Sequence, residues 1–294
     1  MSGFRPHVVV GVSRKQPGVI RQALAEADRL GAALHVVHCH DVQLSTADFH
    51  GKGEFVGSVA ASAALTDAHD FIKSEAPSQI VNFMEVEGET SKVLLAHARD
   101  AQTIILGAGE ASWLDWVRGG TMAGRIARDA SCPVIMVPER CASVDEHGAI
   151  VVTIDGDTSA FGPLSYGFEQ AQSRDRLLII LHAVPLGTSD ADFESHRANV
   201  AEIIAGWNGL FPDVKVLVSS TIGDAVDACV GASSSASLVV IGRPHGRVGS
   251  FALARPVAMS VLRRAQCAVA IVPRDYRHDR VSDSTRADRQ STLV

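Results

Sequence analysis

Apolar residues along this chain come in short runs that alternate with runs of helical spacing. His7 to Val12 carries four valines in a row-like block, as a strand buried on both faces would. From Val19 the apolar positions fall at Val19, Ile20, Ala23, Leu24, Ala27 and Leu30, one face of a helix that Gly31 closes. Strand patterns follow at 34–39, 80–86, 103–106 and 133–138, and helical ones at 59–74, from Gly88-Glu89-Thr90, and at 121–130. The segment 41–55 reads as a loop. Residues 139–148 are polar, and then the pattern restarts. Strands are expected at 149–154, 177–182, 214–218, 238–242 and 268–272. Helices are expected with Phe161, Leu164, Phe168 and Ala171 inward, at 193–207, from Gly223-Asp224, and at 256–265.

Strands alternating with helices, and apolar on both faces, predict parallel sheets covered on both sides. Right-handed crossovers then limit the topology to the doubly wound kind. The prediction is an α/β chain of two tandem Rossmann-like domains, five strands each, over 1–140 and 147–275, with a disordered polar tail at 276–294. Ligands of such sheets sit where the strand order reverses, at the carboxyl ends of the strands. In the first half that places them beside Ser13 and Gly107.

The stretch from Thr103 through Gly107-Ala108-Gly109-Glu110 to Gly119-Gly120-Thr121 carries the candidate chemistry. An apolar strand stops at a glycine, a loop follows, and a helix opens at Thr121. A helix start presents free N–H groups and the positive end of its dipole, which suit a phosphate. The layout returns at Gly242, 135 residues after Gly107, with a helix from Pro256.

Strand one ending Val10-Gly11-Val12, the Gly-Glu-Thr at 88–90, the Ile-Leu-Gly strand with Gly-Thr downstream, Cys132-Pro133-Val134 and the closing Val-Pro resemble the universal stress protein family. The resemblance runs over roughly 6–138 and 149–273. It implies a site for ATP, built from Gly-x-x-Gly, nine residues, then Gly-Ser or Gly-Thr, with an Asp after strand one that contacts adenosine. In the first half Gly107, Gly120 and Thr121 match, Glu110 stands for the second glycine, and Ser13 stands for the Asp. In the second half Asp155 and Gly242 match, His245 replaces the second glycine, and Arg255-Pro256 replaces Gly-Ser. The candidate cofactor-binding set is therefore Gly11, Ser13, Gly107, Gly109, Glu110, Gly120, Thr121, Asp155 and Gly242. A carboxylate at Glu110 facing phosphates opposes them unless a metal intervenes, and Pro256 removes a donor N–H. The first half is the better nucleotide candidate. Arg243, Arg247 and Arg255 either fill the vacated phosphate site of the second half or bind an anion themselves.

The remaining features change the picture less. Net charge is −6, which argues against nucleic acid or a membrane surface as partner, and no apolar run reaches 18 residues. The five cysteines have no CxxC spacing and read as reduced thiols of a cytoplasmic protein. His38 and His40 share a strand face, but no further metal ligands accompany them; His182 recurs at the position of His38, which argues for a structural role. Trp113 and Trp116 either stack on an adenine or pack the loop and meet a partner. Asp155-Gly156-Asp157 reads as a tight turn, because Tyr166 stands where a calcium loop needs Glu. No base, nucleophile or metal pair is evident. Three functions stay open: a non-enzymatic stress regulator with an unidentified protein partner, a nucleotide hydrolase or transferase, and an interaction module without a site. The short apolar fifth strands predict a pseudo-dimer of the halves, with homodimerisation also open.

Overall fold

The computed structural model describes residues 6–40, 56–109, 122–141, 147–155, 161–243 and 257–277, the side chains of 56–62 excepted. The chain divides into two compact units, Met1–Ser143 and Val144–Val294. Glu110, Trp113, Trp116, Gly120, Thr121, His245, Arg247, Arg255 and Pro256, which the sequence singles out, lie outside the described residues.

The first unit runs β1 (His7–Gly11), α1 (Pro17–Leu30), β2 (Ala33–His40), α2 (Val56–Glu75), β3 (Val81–Glu87), α3 (Thr90–His97), β4 (Thr103–Gly107), α4 (Met122–Asp129) and β5 (Val134–Val137). Its strands lie in the order β3-β2-β1-β4-β5. The second unit runs β6 (Ala149–Ile154), α5 (Phe161–Arg174), β7 (Leu178–Val184), α6 (Asp190–Leu210), β8 (Val216–Ile222), α7 (Ala225–Ala232), β9 (Ala236–Gly242), α8 (Val257–Arg264) and β10 (Ala268–Val272). Its order, β10-β9-β6-β7-β8, is the same design. The strand pairings described within the units are parallel. The order reverses between β1 and β4 in one unit and between β6 and β9 in the other.

Local chemistry explains the elements. Pro17 opens α1, and Gly31 ends it in the left-handed conformation while the Ala32 N–H bonds Ala27 O at 2.8 Å. Val19, Ile20, Ala23, Leu24 and Ala27 are its buried face. The turn before each third helix needs a glycine: Gly88 and Gly223 have φ of 137° and 149°, and their N–H groups bond His40 O and Val184 O at 3.1 and 2.8 Å. In the second unit Phe168 is fully buried, its ring 5.4 Å from Trp207 and 5.2 Å from Phe211, and Phe161 meets Trp207 at 5.0 Å. These rings join α5 to α6.

One expectation needs correction. Not every strand is covered on both faces: β3 and β8, each last in the strand order of its unit, expose Phe83, Leu217, Val218 and Ile222. Of the segment expected as a tail, Tyr276 and Arg277 pack on α5, and residues 278–294 lie outside the described residues.

Candidate functional site

In each unit a strand-two histidine fixes the end of strand one. His38 Nδ1 lies 2.8 Å from Val12 O, and His182 Nδ1 lies 3.1 Å from Ile154 O. A carbonyl only accepts, so Nδ1 carries the proton and donates in both. These histidines are structural, and they define equivalent positions: the next residue is Ser13 in one unit and Asp155 in the other. Both are exposed.

Strand four is pinned in the same repeated way. The Ala108 N–H bonds Val137 O at 2.9 Å, and the Arg243 N–H bonds Val272 O at 2.9 Å. Gly107 and Gly242 therefore stand beside the ends of β1 and β6, as the topology requires. A Cβ on Gly107 would meet the side-chain amide of Gln16, which lies across it. A Cβ on Gly242 would touch Pro163 Cγ at 3.0 Å. Gly11 has a packing reason instead: its missing side chain leaves room for Leu106 and Leu94, 2.7 and 3.2 Å from where a Cβ would be. Gly109 has φ of 58° and, among the described residues, nothing within 4 Å of a would-be Cβ. The loop thus makes its left-handed turn at Gly109, one residue before Glu110. Lys15 is exposed.

The two crevices differ in what closes them. In the first unit Arg14, the residue after Ser13, pairs with Glu139, the residue after Val137-Pro138. In the second unit Asp155 itself faces Arg274, the residue after Val272-Pro273, at 3.7 Å. The residue after Val-Pro keeps its place between the halves and changes sign, while its partner moves from the residue after Ser13 to Asp155, the counterpart of Ser13 itself. Sequence reasoning missed Arg274 because it opens a polar, arginine-rich tail. The signal was Val-Pro-Glu against Val-Pro-Arg at an offset of 135 residues.

The helices beyond the crevices are tied by charge. Ser91 Oγ donates to Glu89 at 2.7 Å, Lys92 pairs with Glu89 at 2.9 Å, and Arg125 of α4 donates to Glu89 and to Ser91 Oγ. Hydrogen bonds from Lys92 and then Ser91 hold the Glu89 carboxyl at about 2, so it is anionic at neutral pH. In the second unit Asp224 caps α7, accepting from the N–H groups of Val226 and Asp227 at 2.7 and 3.1 Å, and Asp227 pairs with Arg264 of α8 at 2.7 Å. The five cysteines are free thiols, four of them buried, and burial pushes Cys229 up to about 12. Among the described residues no group of three or more His, Cys, Asp or Glu is placed to hold a metal ion. Among them, too, no helix is long and apolar enough to cross a membrane.

A histidine cluster lies at the opposite ends of the strands. His7 of β1 and His35 of β2 stack at 4.3 Å. His97, which ends α3, is their charged-state neighbour. Burial, then His7, then His97 lower the His35 pKa; burial and then His7 lower that of His97. A lowered pKa means the folded state refuses protons that the unfolded state accepts. The stabilisation is therefore complete above the unfolded value of about 6.5 and is lost as pH falls through it. Melting of the first unit should drop between pH 7.5 and 5.5, and the drop should shrink in His35→Asn. A melting curve flat across that range would contradict this.

Each doubly wound α/β unit thus carries a glycine at the end of its fourth strand, beside the point where the strand order reverses, and such a switch point is where ligands of this architecture sit. The profile of the Universal stress protein family matches residues 5–138 and 147–273, and the chain belongs to that family. A universal stress protein of Mycobacterium bovis is 29% identical over 185 residues, which cover 59% of this chain and 62% of that relative, less than two thirds of its length. One from Mycobacterium tuberculosis is 23% identical over 274 residues, covering 92% of this chain and 97% of that one. The crystal structure of a universal stress protein from Archaeoglobus fulgidus superposes with a TM-score of 0.68 at 18% identity, covering 93% of this chain and 97% of that one.

Proposed function

We propose that this chain is a non-enzymatic, cytoplasmic stress-response regulator whose first half binds ATP and, so loaded, engages a protein partner. The observation that carries the reading is the open end of β4. Ser13 is exposed at the end of the neighbouring strand, and Gly109 takes a left-handed turn with nothing among the described residues within 4 Å of the position of its missing side chain. The Gly119-Gly120-Thr121 sequence supplies the phosphate-binding part by resemblance to the family. Homodimerisation of the chain belongs to the same proposal, and sedimentation at several concentrations tests it.

Isothermal calorimetry tests the ATP site. Saturable heat is expected with the wild-type chain and is expected to vanish in Gly120→Leu. No heat at millimolar ATP would remove the nucleotide switch. In Glu110→Gly the loss of a carboxylate facing phosphates should tighten binding by about tenfold. Weakening instead would mean that Glu110 carries a metal to the phosphates. Phosphate release above a buffer blank would favour the hydrolase reading.

A further inference from the structure

The segment that follows β10 does not trail away. The Gly162 N–H at the start of α5 donates to Arg274 O at 3.1 Å. Arg274 Nε donates to Arg243 O, next to Gly242, at 3.1 Å, and the other end of its guanidinium faces Asp155 at 3.7 Å. Tyr276 OH donates to the largely buried Glu169 at 2.8 Å, and its ring meets Tyr166 edge-on at 5.5 Å. Arg277 lies over the Phe161 ring at 4.7 Å. Residues 273–277 thus form a strap across the first turns of α5. The strap lays one guanidinium between the ends of β6 and β9, the two strands that flank the switch point.

We propose that Arg274 is the residue that decides which half takes nucleotide: it occupies the second crevice and engages Asp155, so that adenosine enters there only when the strap lifts. This rests on the reading that the crevices are nucleotide sites. The first unit lacks such a contact at the equivalent residue: there Glu139 pairs with Arg14 and not with Ser13, whereas in the second unit Arg274 pairs with Asp155, the counterpart of Ser13. The ion pair alone is weak, because Asp155 is more than half exposed and exposed pairs contribute little. The backbone bond to Gly162, the bond to Arg243 O and the Tyr276–Glu169 bond make the strap act as one piece. A strap closed about nine-tenths of the time lowers the apparent affinity of the crevice about tenfold. Lifting it exposes Asp155 without rebuilding the strand ends, which His182 holds independently.

The test titrates ATP into the full-length chain by calorimetry, comparing wild type, Arg274→Gln, and Arg274→Gln combined with Asp155→Asn. Glutamine keeps an amide able to reach Arg243 O and removes the charge. The expected result is one more nucleotide per chain in Arg274→Gln than in wild type, bound about tenfold tighter than any second event in the wild type. Adding Asp155→Asn should abolish the gain. If the first-half site is absent, wild type binds none and Arg274→Gln still binds one, so the two readings fail separately. Equal binding by wild type and Arg274→Gln, including no binding by either, would overturn the proposal. So would weaker binding in Arg274→Gln, which would make Arg274 a ligand contact. Should Arg274→Gln not fold, Tyr276→Phe removes the bond to Glu169 and is expected to give part of the same gain; no gain there would overturn the proposal.

Discussion

Replacing Gly162 by valine should destabilise the second unit by about 3 kcal/mol and unseat the segment that follows β10. A Cβ at 162 would collide with the carbonyl oxygen of Pro273 and lie 2.7 and 2.9 Å from Arg274 O and C. These are backbone atoms, so no rotamer change relieves the contact. Either α5 slides along β6, against the packing of Gly167 on Val152, or residues 273–277 move away. The second route is the less costly one, since it gives up one backbone bond and the side-chain bonds of Arg274 and Tyr276 but leaves α5 seated on the sheet. Urea unfolding should show the loss of stability. ATP titration of the same variant should show the additional site expected of Arg274→Gln. A valine variant as stable as wild type would mean that the close approach of α5 to the strap is not a feature of the folded protein.

The second large effect is expected at Phe168. It is fully buried against Trp207 and Phe211, and together with Phe161 it joins α5 to α6. Phe168→Ala removes most of that ring packing and leaves a cavity, at a cost of about 4 kcal/mol. Trp207, 7% exposed in the native fold, should become more accessible to solvent, with a red shift of its emission and easier quenching. The functional consequence separates the halves. Under native conditions the ATP heat assigned to the first unit should persist in Phe168→Ala. Its loss at a concentration of denaturant that unfolds only the second unit would place the nucleotide there instead.

Much of this architecture was legible in the chain, for identifiable reasons. The central strands β1, β4, β6 and β9 are runs of Val, Ile and Leu ended by a glycine or an aspartate, and such runs have few other readings. The flanking strands were harder. β8 runs to Ile222, well past the expected end at 218, because pairing with β7 continues through Thr221 and Ile222 whether or not the residues are apolar. α6 starts at Asp190 and not at 193: Ser189 caps it, accepting from the Asp192 N–H, and its polar first turn hides it from an apolar pattern. The site divides in the same way. Gly107, Asp155 and Gly242 could be placed from strand ends and spacing. Gly109 could be singled out but not explained, because its left-handed φ is a property of the loop path. Arg274 and Gln16 could not be found, since each acts across the fold on residues far from it or from another element. In Arg274 the composition of the surrounding tail also pointed toward disorder.

The inverted ion pairs carry a wider lesson about repeated folds. Glu139 and Arg274 hold the same place in two copies of one unit, and each found an opposite charge in the loop after the first strand. One copy found it at Arg14 and kept its neighbour Ser13 exposed. The other found it at Asp155. The two crevices therefore differ at Ser13 and Asp155, at Arg14 and Gly156, and at Glu139 and Arg274, on strand orders of one design.

The most direct test of the account is native mass spectrometry of the full-length chain as purified from cells, repeated after addition of millimolar ATP. The account predicts a species heavier by one adenine nucleotide, absent in Gly120→Leu. A bare chain mass in both samples would contradict it.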